Sequence, residues 1–403
     1  MAGEPLVRIG IVGLGVAARQ VLGSIEATDG AQLTAVCDVR TDELARFKER
    51  FGVATFTRLD EMCQQGPIDA VWVATPNNLH AEHTITAATH GKHVICEKPM
   101  AITLDEANRM VEAVEANGVQ YVQGHSRIHR PYVRKMGEIL ASGRLGRVIQ
   151  INTWMYNDWI QRPWEAASVD PHRGGGVVYR QGPHQIDVIR YLAGGLVRGV
   201  RATTGKWQPH YDVDANYSAF LDFEDGATAL ASFNGYGNFD IRELTWGIGE
   251  GGRVCPEDKL LGPRPRGTGP IPADQFYALP QYSIEAFTRR EDHKQDFFGL
   301  TIVSCERGDI RQSPDGLYVY TERGREEVPI TGPWVRAGEV QALVNAVREN
   351  RPAFPDARWS RATLEACIAI SESSRARQEI RMQYQVPSPL RPALLQASAD
   401  APA

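Results

Sequence analysis

The sequence predicts an α/β protein with two sheets: a parallel sheet that alternates with helices near the amino terminus, and a mainly antiparallel sheet after it. Short apolar runs separated by stretches of helical spacing continue to about residue 123, as in a parallel sheet. Between residues 218 and 330, alternating polar and apolar segments indicate antiparallel strands. A chain of 403 residues, 42% of them hydrophobic, is long enough to form two domains.

Composition argues against several classes of partner. The formal net charge is −5 and no basic block stands out, so neither nucleic acid nor an anionic membrane is expected. The first predicted strand begins within ten residues of Met1, which leaves no room for a signal peptide, and no apolar run could span a bilayer.

Six cysteines without a Cys-x-x-Cys pair predict no disulfides and no metal site. We expect a cytoplasmic protein.

The first strand, Val7–Val12, leads directly into a glycine-rich turn that opens a helix. The turn contains Gly13, Gly15 and Ala18 in the pattern Gly-x-Gly-x-x-Ala, which in this context is typical of dinucleotide binding. The first glycine permits the tight turn, the second lets a pyrophosphate approach the backbone, and the small alanine lets helix pack on strand. The phosphates would lie at the amino end of the helix.

The second predicted strand, residues 33–37, ends in Asp38. A carboxylate at this position can accept hydrogen bonds from the adenosine ribose hydroxyls, and it repels a 2′-phosphate, which favours NAD over NADP. Arg40, two residues on, leaves an alternative open because its guanidinium could turn toward a 2′-phosphate. Otherwise Arg40 is an exposed residue at the start of a helix.

Four further strands complete the first domain, which we place at residues 1–123. They are predicted at residues 54–56, 70–74, 93–96 and 119–122. A capping box at Thr103 and Glu106 starts the helix before the last of them. His80 and His83 could pass for a metal pair, but no third ligand is at hand, so we expect both on a helix surface.

The strand at 93–96 ends in Glu97-Lys98-Pro99. Proline fixes φ and cannot donate a hydrogen bond, so the lysine is held in a rigid turn. Because ligands bind at the carboxyl ends of parallel strands, Lys98 would have access to both a cofactor and a substrate. A surface turn, in which lysine is common, is the alternative.

Residues 124–385 are predicted to form the second domain, and residues 386–403 a loose tail. A helix at 131–141 and a strand after residue 144 begin the domain, residues 262–280 form a long loop, and helices at 340–350 and 363–377 close it. Its other strands are predicted at residues 218–223, 227–233, 241–247, 301–306, 317–320 and 326–330.

Two stretches of this domain carry candidate substrate contacts. Between Trp154 and Trp164, four aromatic rings alternate with polar side chains, which suits a flat, ring-shaped ligand; ordinary core packing is the alternative. After the glycines at 174–176, a helix would place Arg180, His184 and Asp187 on one face. Proline at position 183 removes a helical hydrogen bond, so we expect a bend beside the histidine.

Together these motifs resemble the Gfo/Idh/MocA oxidoreductase family over almost the whole chain. They are Gly13-x-Gly15-x-x-Ala18, Thr75 to His80, Glu97-Lys98-Pro99, Gly124-x-x-Arg127, and Gly174 to Gly176 followed by His184 and Asp187. The resemblance implies an NAD-dependent oxidoreductase with an α/β Rossmann domain plus an α+β domain. The second domain would have an open-faced, mainly antiparallel sheet, through which the chain forms a dimer or tetramer.

The resemblance also implies which residues form the site. Lys98 and His184 would be catalytic beside the nicotinamide, consistent with the need for a base within hydrogen-bond reach of a reacting hydroxyl. The loop from Thr75 would lie beneath the nicotinamide half. Cofactor contacts are expected from Gly13, Gly15, Val16, Ala17, Ala18, Asp38, Val39, Thr75, Pro76, Asn77, Asn78, His80, Glu97 and Lys98. Substrate contacts are expected from Lys98, His125, Arg127, Trp159, Arg180 and His184.

One departure from the family pattern concerns the substrate. Sugar and inositol dehydrogenases of the family usually carry Asp four residues before the catalytic histidine, where this sequence has Arg180. A guanidinium suits a carboxylate, so an anionic substrate is expected. His125, Arg127 and neighbouring cations would deepen the positive field. Alternatively, Arg180 pairs with Asp187 or Asp170 and only holds the helix.

Residues 179–185 and 304–316 resemble the branch that includes phthalate cis-4,5-dihydrodiol dehydrogenases. The implied substrate is a planar, dianionic cyclohexadiene cis-diol dicarboxylate, which becomes aromatic 4,5-dihydroxyphthalate on losing hydride and proton. Three alternatives stay open: an isophthalate or other benzoate-type dihydrodiol, a sugar, sugar acid or inositol, and a non-catalytic dinucleotide-sensing regulator. Retention of both Lys98 and His184 argues against the last.

Overall fold

The computed structural model describes residues 6–124, 127–263, 266–267, 269–282, 294–331 and 337–399. Within them the chain forms two compact units. The first contains residues 6–124, 272–282 and 337–364, and the second contains the remaining described residues. The sequence predicted two domains that are each continuous in the chain, whereas the first unit includes segments from three parts of it. One reason is that helix Gly338–Glu349 buries Val340, Leu343 and Val344 in the first core.

The first unit contains a six-stranded parallel sheet. Its strands are β1 Val7–Val12, β2 Ala31–Cys37, β3 Ala54–Phe56, β4 Ala70–Val73, β5 His93–Cys96 and β6 Tyr121–Gln123. They lie in the order β3-β2-β1-β4-β5-β6, and each neighbouring pair is parallel. This order is that of dinucleotide-binding sheets, with ligands bound beyond the carboxyl ends of the strands. All six strands lie within two residues of their predicted positions.

Five helices connect these strands. They are α1 Val16–Glu26, α2 Thr41–Phe51, α3 Leu59–Gln65, α4 His80–Thr89 and α5 Leu104–Ala116. The predicted capping box starts α5: Thr103 Oγ1 accepts from the Glu106 amide at 3.2 Å, and the Glu106 carboxylate accepts from the Thr103 amide. Strands β1 and β4 are buried on both faces, as expected of a parallel sheet covered by helices.

The second unit contains a nine-stranded sheet, which is mainly antiparallel as predicted. Its strands are β7 Val148–Tyr156, β8 Val197–Gly205, β9 Asn216–Phe223, β10 Thr228–Asn234, β11 Leu300–Cys305, β12 Gly308–Ser313, β13 Gly316–Thr321, β14 Gly324–Pro329 and β15 Ile380–Arg381. Three of these strands, β8, β12 and β15, were not predicted. The order is β14-β13-β12-β11-β7-β10-β9-β8-β15, and the pair β7 and β10 is parallel. Ile151 and Met155 of β7 are buried, whereas Trp154 is 40% exposed on the opposite face.

Helices in the second unit are Pro131–Ala141, Val177–Arg180, Gly182–Leu192, Glu257–Leu260 and Arg391–Ala399. The helix Ala357–Ala376 has its residues up to Leu364 in the first unit and the rest in the second. Among the described residues, no helix is both long and apolar enough to cross a membrane.

Three predictions for this part of the chain were wrong. Residues 241–247 do not form a strand, because the Asp240 carboxylate caps a turn of 3-10 helix at Ile241–Thr245 and pairs with Arg242. The predicted loop at 262–280 contains helix Ala273–Tyr277, which buries Phe276. The tail contains a helix, and Ser388 before it donates to Gly194 O and Tyr191 O.

Candidate active site

The glycine-rich turn after β1 has the geometry that a bound dinucleotide requires. Gly13 has φ of +87°, and a Cβ at this position would lie 2.8 Å from Ala74 O. A side chain is therefore excluded for both conformational and steric reasons. Helix α1 begins after Gly15, and Ala18 is fully buried in the first core. Val16 and Ala17 are half-buried in the first turn.

Asp38, at the end of β2, is tied to both the glycine-rich turn and Arg40. Its Oδ2 accepts from the Leu14 amide at 2.6 Å and from Arg40 Nη2 at 3.1 Å, and its Oδ1 accepts from Arg40 Nε at 3.0 Å and from the Arg40 amide at 2.8 Å. Burial alone would raise the pKa of the Asp38 carboxyl, but the hydrogen bonds from Arg40 and Leu14 outweigh burial and lower it. The carboxylate is ionised at neutral pH.

Arg40 itself is not simply an exposed residue at a helix start. Its side chain is 34% exposed, and its guanidinium carbon lies 5.0 Å from the centre of the Tyr277 ring. The neighbouring Val39, predicted to contact the cofactor, is 86% exposed.

The loop after β4 is held by His80. Pro76 precedes one turn of 3-10 helix that contains Asn77 and Asn78, and α4 follows. His80 is 1% exposed, with Nδ1 2.7 Å from Pro99 O and Nε2 2.9 Å from Thr75 O. Carbonyl oxygens only accept, so both hydrogen bonds form at once only if the ring is protonated.

His80 therefore joins the predicted nicotinamide loop to the turn that contains Lys98. The prediction that His80 lies on a helix surface was wrong, because both ring nitrogens face protein carbonyls in a buried position. A contact between His80 and the cofactor stays a prediction. His83 contacts the Thr75 hydroxyl at 3.0 Å, and burial lowers the pKa of its imidazole.

Lys98 follows β5 in a turn that is partly buried. The Glu97 amide donates to Val73 O at 2.9 Å, and Glu97 and Met100 are buried, which does not fit the surface-turn alternative. A Cβ at Gly124 would lie 2.9 Å from Cys96 O, so glycine permits the close approach of the chain beside this turn. Lys98 is half-buried. It lies at the same edge of the sheet as Gly13 and Asp38 because all three follow parallel strands.

In the second unit, His184 and Arg180 lie on separate helices. The backbone at Gln181, with φ of −122°, separates Val177–Arg180 from Gly182–Leu192. Pro183 occupies the first turn of the second helix, where its missing N–H leaves no hydrogen bond unmade. The prediction that Arg180 shares a helix face with His184 and Asp187 was therefore wrong, since the chain breaks where a bend was expected.

Phe298 packs against His184, with 4.8 Å between ring centres, and Arg127 lies on the same phenyl ring at 4.9 Å. Phe298 belongs to the irregular segment before β11, and no motif in the sequence marks it. His184 and Phe298 are buried. The phenyl ring fixes one side of the imidazole.

Arg127, predicted to bind substrate, forms a structural ion pair. It is 1% exposed and donates to Asp296 at 2.9 Å and to Glu250 at 3.1 Å. Arg130 also pairs with Asp296, at 3.0 Å. These two carboxylates bind the guanidinium and offset its charge, which favours a structural role; a contact between Arg127 and the substrate stays a prediction. His125 lies outside the described residues.

Arg180 lies beside two buried tryptophans. Its guanidinium carbon is 5.6 Å from the ring centre of Trp164, whose Nε1 donates to Trp159 O at 2.7 Å. The Trp159 and Trp164 rings are 4.8 Å apart, and both are buried. The aromatic segment thus divides: these two rings pack inside, and Trp154 lies on the exposed face of the sheet. The two catalytic candidates, Lys98 and His184, belong to different compact units.

Comparison with known proteins assigns both parts of the chain to one family. The model of the oxidoreductase family with an NAD-binding Rossmann fold matches residues 7–125, and that of the GFO/IDH/MocA C-terminal domain matches residues 133–246. The chain is 30% identical over 377 residues to the 1-carboxy-3-chloro-3,4-dihydroxycyclohexa-1,5-diene dehydrogenase of Comamonas testosteroni, covering 91% of this chain and 95% of that relative. The chain belongs to the Gfo/Idh/MocA oxidoreductase family.

The family that the motifs predicted is therefore confirmed, and with it an oxidoreductase that uses NAD. A solved structure of a protein from Bordetella bronchiseptica RB50, assigned as a dehydrogenase, is 37% identical with a TM-score of 0.85 and covers 94% of this chain and 100% of its own. An oxidoreductase from Agrobacterium radiobacter, solved with NAD+, L-tartaric acid and magnesium, shares the fold at 18% identity and a TM-score of 0.69, covering 93% of this chain and 98% of its own.

Proposed function

We propose that this oxidoreductase converts a carboxylated cyclohexadiene cis-diol into the corresponding aromatic diol, reducing NAD+ to NADH. The observation that carries the proposal is the Arg180 guanidinium on the face of Trp164. A guanidinium positioned by an aromatic face suits an anionic substrate, because its planar fork of donors pairs with a carboxylate. The Comamonas testosteroni relative, which covers most of the chain, carries a name that describes a carboxylated dihydroxycyclohexadiene.

The reaction requires one hydride acceptor and one proton acceptor. NAD, when bound, accepts the hydride from the carbon that carries the reacting hydroxyl. Lys98 Nζ, at the carboxyl end of β5, is the proposed acceptor of the hydroxyl proton, and His184 is the alternative acceptor. Loss of this hydride and proton leaves a hydroxy ketone, which becomes the aromatic diol when the C–H proton of the second carbinol carbon leaves and the carbonyl oxygen takes up a proton. The net products are the aromatic diol, NADH and one proton, and the gain of aromaticity drives the oxidation.

The more specific proposal is that the substrate is phthalate 4,5-cis-dihydrodiol, a dicarboxylate, and the product 4,5-dihydroxyphthalate. It rests on residues 179–185 and 304–316, which resemble that branch of the family. A benzoate-type or isophthalate-type dihydrodiol has the same reacting diol and at least one carboxylate. The number and position of carboxylates distinguish these substrates.

A panel assay tests both levels of the proposal. NADH formation at 340 nm is measured with the dihydrodiols of phthalate, isophthalate and 3-chlorobenzoate, an uncharged cyclohexadiene cis-diol, and a sugar and an inositol. We expect kcat/KM for a carboxylated dihydrodiol to exceed that for the uncharged diol by at least about tenfold. Fastest turnover of a polyol would instead identify a sugar or cyclitol dehydrogenase, and no turnover with any compound would favour a regulator.

We also propose that two copies of this chain associate through the exposed face of the nine-stranded sheet. Phe220 and Leu230 are paired in register on neighbouring strands β9 and β10, and they are 40% and 42% exposed. With Trp154 they form an apolar surface of the kind that marks an interface. We expect a dimer or tetramer in light-scattering chromatography. Leu230→Glu should lower the molar mass, and Glu224→Lys, an exposed control at the next turn, should not.

A further inference from the structure

Residues 272–282, here called the strap, belong to the first unit although they lie far from it in sequence. The strap contains helix Ala273–Tyr277 and the turn Pro280–Tyr282. It packs on α1, the helix that follows the glycine-rich turn, and contacts a residue 258 positions earlier in the chain. The cofactor assignments from sequence motifs did not include it.

Arg19 of α1 anchors the strap. Its Nη1 donates to Tyr282 O at 2.9 Å, and its Nη2 donates to the Glu43 carboxylate at 2.9 Å, in a position where both side chains are buried. Phe276 is also buried, with its ring 4.7 Å from that of Tyr282. Breaking the hydrogen bonds of a buried guanidinium to a carbonyl and a carboxylate costs free energy, so the strap has a defined position on α1.

This position places Tyr277 near two parts of the predicted cofactor site: Gly15, where the diphosphate would bind, and Arg40 beside Asp38, where the adenosine ribose would bind. A Cβ built on Gly15 would lie 3.7 Å from both Cε1 and Oη of Tyr277. Gly15 is the glycine whose missing side chain lets a diphosphate approach the backbone. The phenol therefore lies at the edge of the space that Gly15 leaves open. The Arg40 guanidinium lies over the same ring.

The Tyr277 ring also contacts Arg40, which competes with a ribose for Asp38. Four N–H groups point at the two oxygens of Asp38, one from Leu14 and three from Arg40. A carboxylate offers about four acceptor positions, so a ribose hydroxyl can bind Asp38 only where the guanidinium withdraws. The Tyr277 face retains the guanidinium through a cation–π contact when that happens.

We propose that Tyr277 is a cofactor-binding residue, whose hydroxyl donates to the diphosphate of NAD beside Gly15. Phosphate oxygens only accept and the phenol O–H donates, so the pair is chemically matched, and hydrogen bonds to a charged acceptor are the stronger kind. The strap thus closes the adenosine side of the site with a residue from a distant part of the chain. This inference rests on NAD as cofactor and not on the identity of the substrate.

The test uses Tyr277→Phe, which removes the hydroxyl and retains the ring on which Arg40 lies. Dissociation constants of NAD+ and ADP are measured by calorimetry without substrate, together with the melting temperature. We expect about tenfold weaker binding of both ligands and an unchanged melting temperature. Tyr277→Ala should weaken both ligands at least as much. Gln275→Ala, exposed on the same helix, should bind both like the wild type.

Two results would overturn the assignment. The first is an affinity of Tyr277→Phe for NAD+ equal to or tighter than that of the wild type, because the hydroxyl would then lie outside the site or obstruct it. The second is a loss for NAD+ without a loss for ADP, because ADP contains the diphosphate and the adenosine but lacks the nicotinamide half. Neither result depends on which diol the enzyme oxidises.

Discussion

The two compact units position their candidate site residues by different means. In the first unit, Gly13 and Asp38 directly follow strands of a parallel sheet, and Lys98 is the second residue after another. In the second, Arg180 and His184 lie on either side of a helix break, and their neighbours come from distant parts of the chain. One unit uses a regular edge, and the other uses irregular backbone.

A sequence motif predicts the position of a side chain in the fold only where the surrounding backbone is regular. The carboxyl ends of parallel strands meet at one edge, so a motif that follows a strand also states where its side chains lie. In the second unit, the partners of a side chain are set by packing between segments that are far apart in sequence. Arg127 and Asp296, 169 residues apart, are such a pair.

The largest expected effect concerns Lys98, the strand-end residue proposed to accept the hydroxyl proton. Lys98→Met should lower kcat by at least about a hundredfold, because the hydroxyl proton loses its acceptor, while the dissociation constant of NAD+ stays unchanged. Lys48→Met, on the exposed face of α2, is the matched control. Steady-state rates at 340 nm and NAD+ titration provide the two measurements.

Near-normal turnover of a folded Lys98→Met protein would show that Lys98 is not the proton acceptor and that its position after the strand does not determine function. In that case His184→Asn should show the loss instead. A loss in both variants is compatible with Lys98 as acceptor only if the pH–rate profile changes in the lysine variant.

The second prediction concerns stability in the second unit. Arg127→Met should lower the free energy of unfolding by about 3 kcal/mol, because Glu250 and Asp296 lose a buried partner. We expect a value at the lower end of the range for such pairs, since Arg130 still holds Asp296. Arg58→Met removes an exposed pair with Asp60 and is the control, for which urea unfolding should show no change.

If Arg127 were instead a substrate contact, its loss would raise KM and leave stability unchanged. Urea unfolding and KM measured on the same variant therefore distinguish the structural role found here from the role predicted by sequence.

The regular elements of the first unit could be predicted from the sequence because local chemistry determines them. Apolar runs define β1 and β4, the glycine at 13 needs positive φ, and Thr103 with Glu106 forms a capping box. The NAD assignment likewise follows from local features, the glycine-rich turn after β1 and Asp38 at the end of β2, and the family model agrees with it.

Other features could not be predicted because they depend on distant partners. No local pattern marks Phe298 as the neighbour of His184, or Tyr277 as the neighbour of Gly15. Strand β12 was missed because the polar residues Gln312 and Ser313 occupy buried positions in it, which obscures the apolar alternation. For Phe298 and Tyr277, the deciding contact is made with a residue far away in sequence.

The third prediction sharpens the assignment of Arg180. Arg180→Met should raise KM for a dicarboxylate dihydrodiol by about ten- to a hundredfold and change KM for an uncharged diol far less. Arg180→Lys retains the charge but loses the planar fork, so it should recover only part of the affinity. NAD+ binding should be unaffected in both.

Equal losses on charged and uncharged diols, together with a lower melting temperature, would show that Arg180 holds the helix and does not bind a carboxylate. The contact between its guanidinium and Trp164 would then be part of the packing of the second unit.

The smallest expected effect concerns cofactor choice in the first unit. The wild type should have a higher kcat/KM with NAD+ than with NADP+, because the ionised Asp38 repels a 2′-phosphate. Asp38→Ser should reduce this preference by about tenfold, since it removes the negative charge and releases Arg40, which can then pair with the phosphate. In the double variant Asp38→Ser with Arg40→Ala, the repulsion is gone but so is the cation, so the gain with NADP+ should be smaller than in the single variant. A wild type that works better with NADP+ would contradict the role of Asp38. An equal gain in the single and double variants would show that Arg40 does not reach the phosphate and that repulsion alone sets the preference.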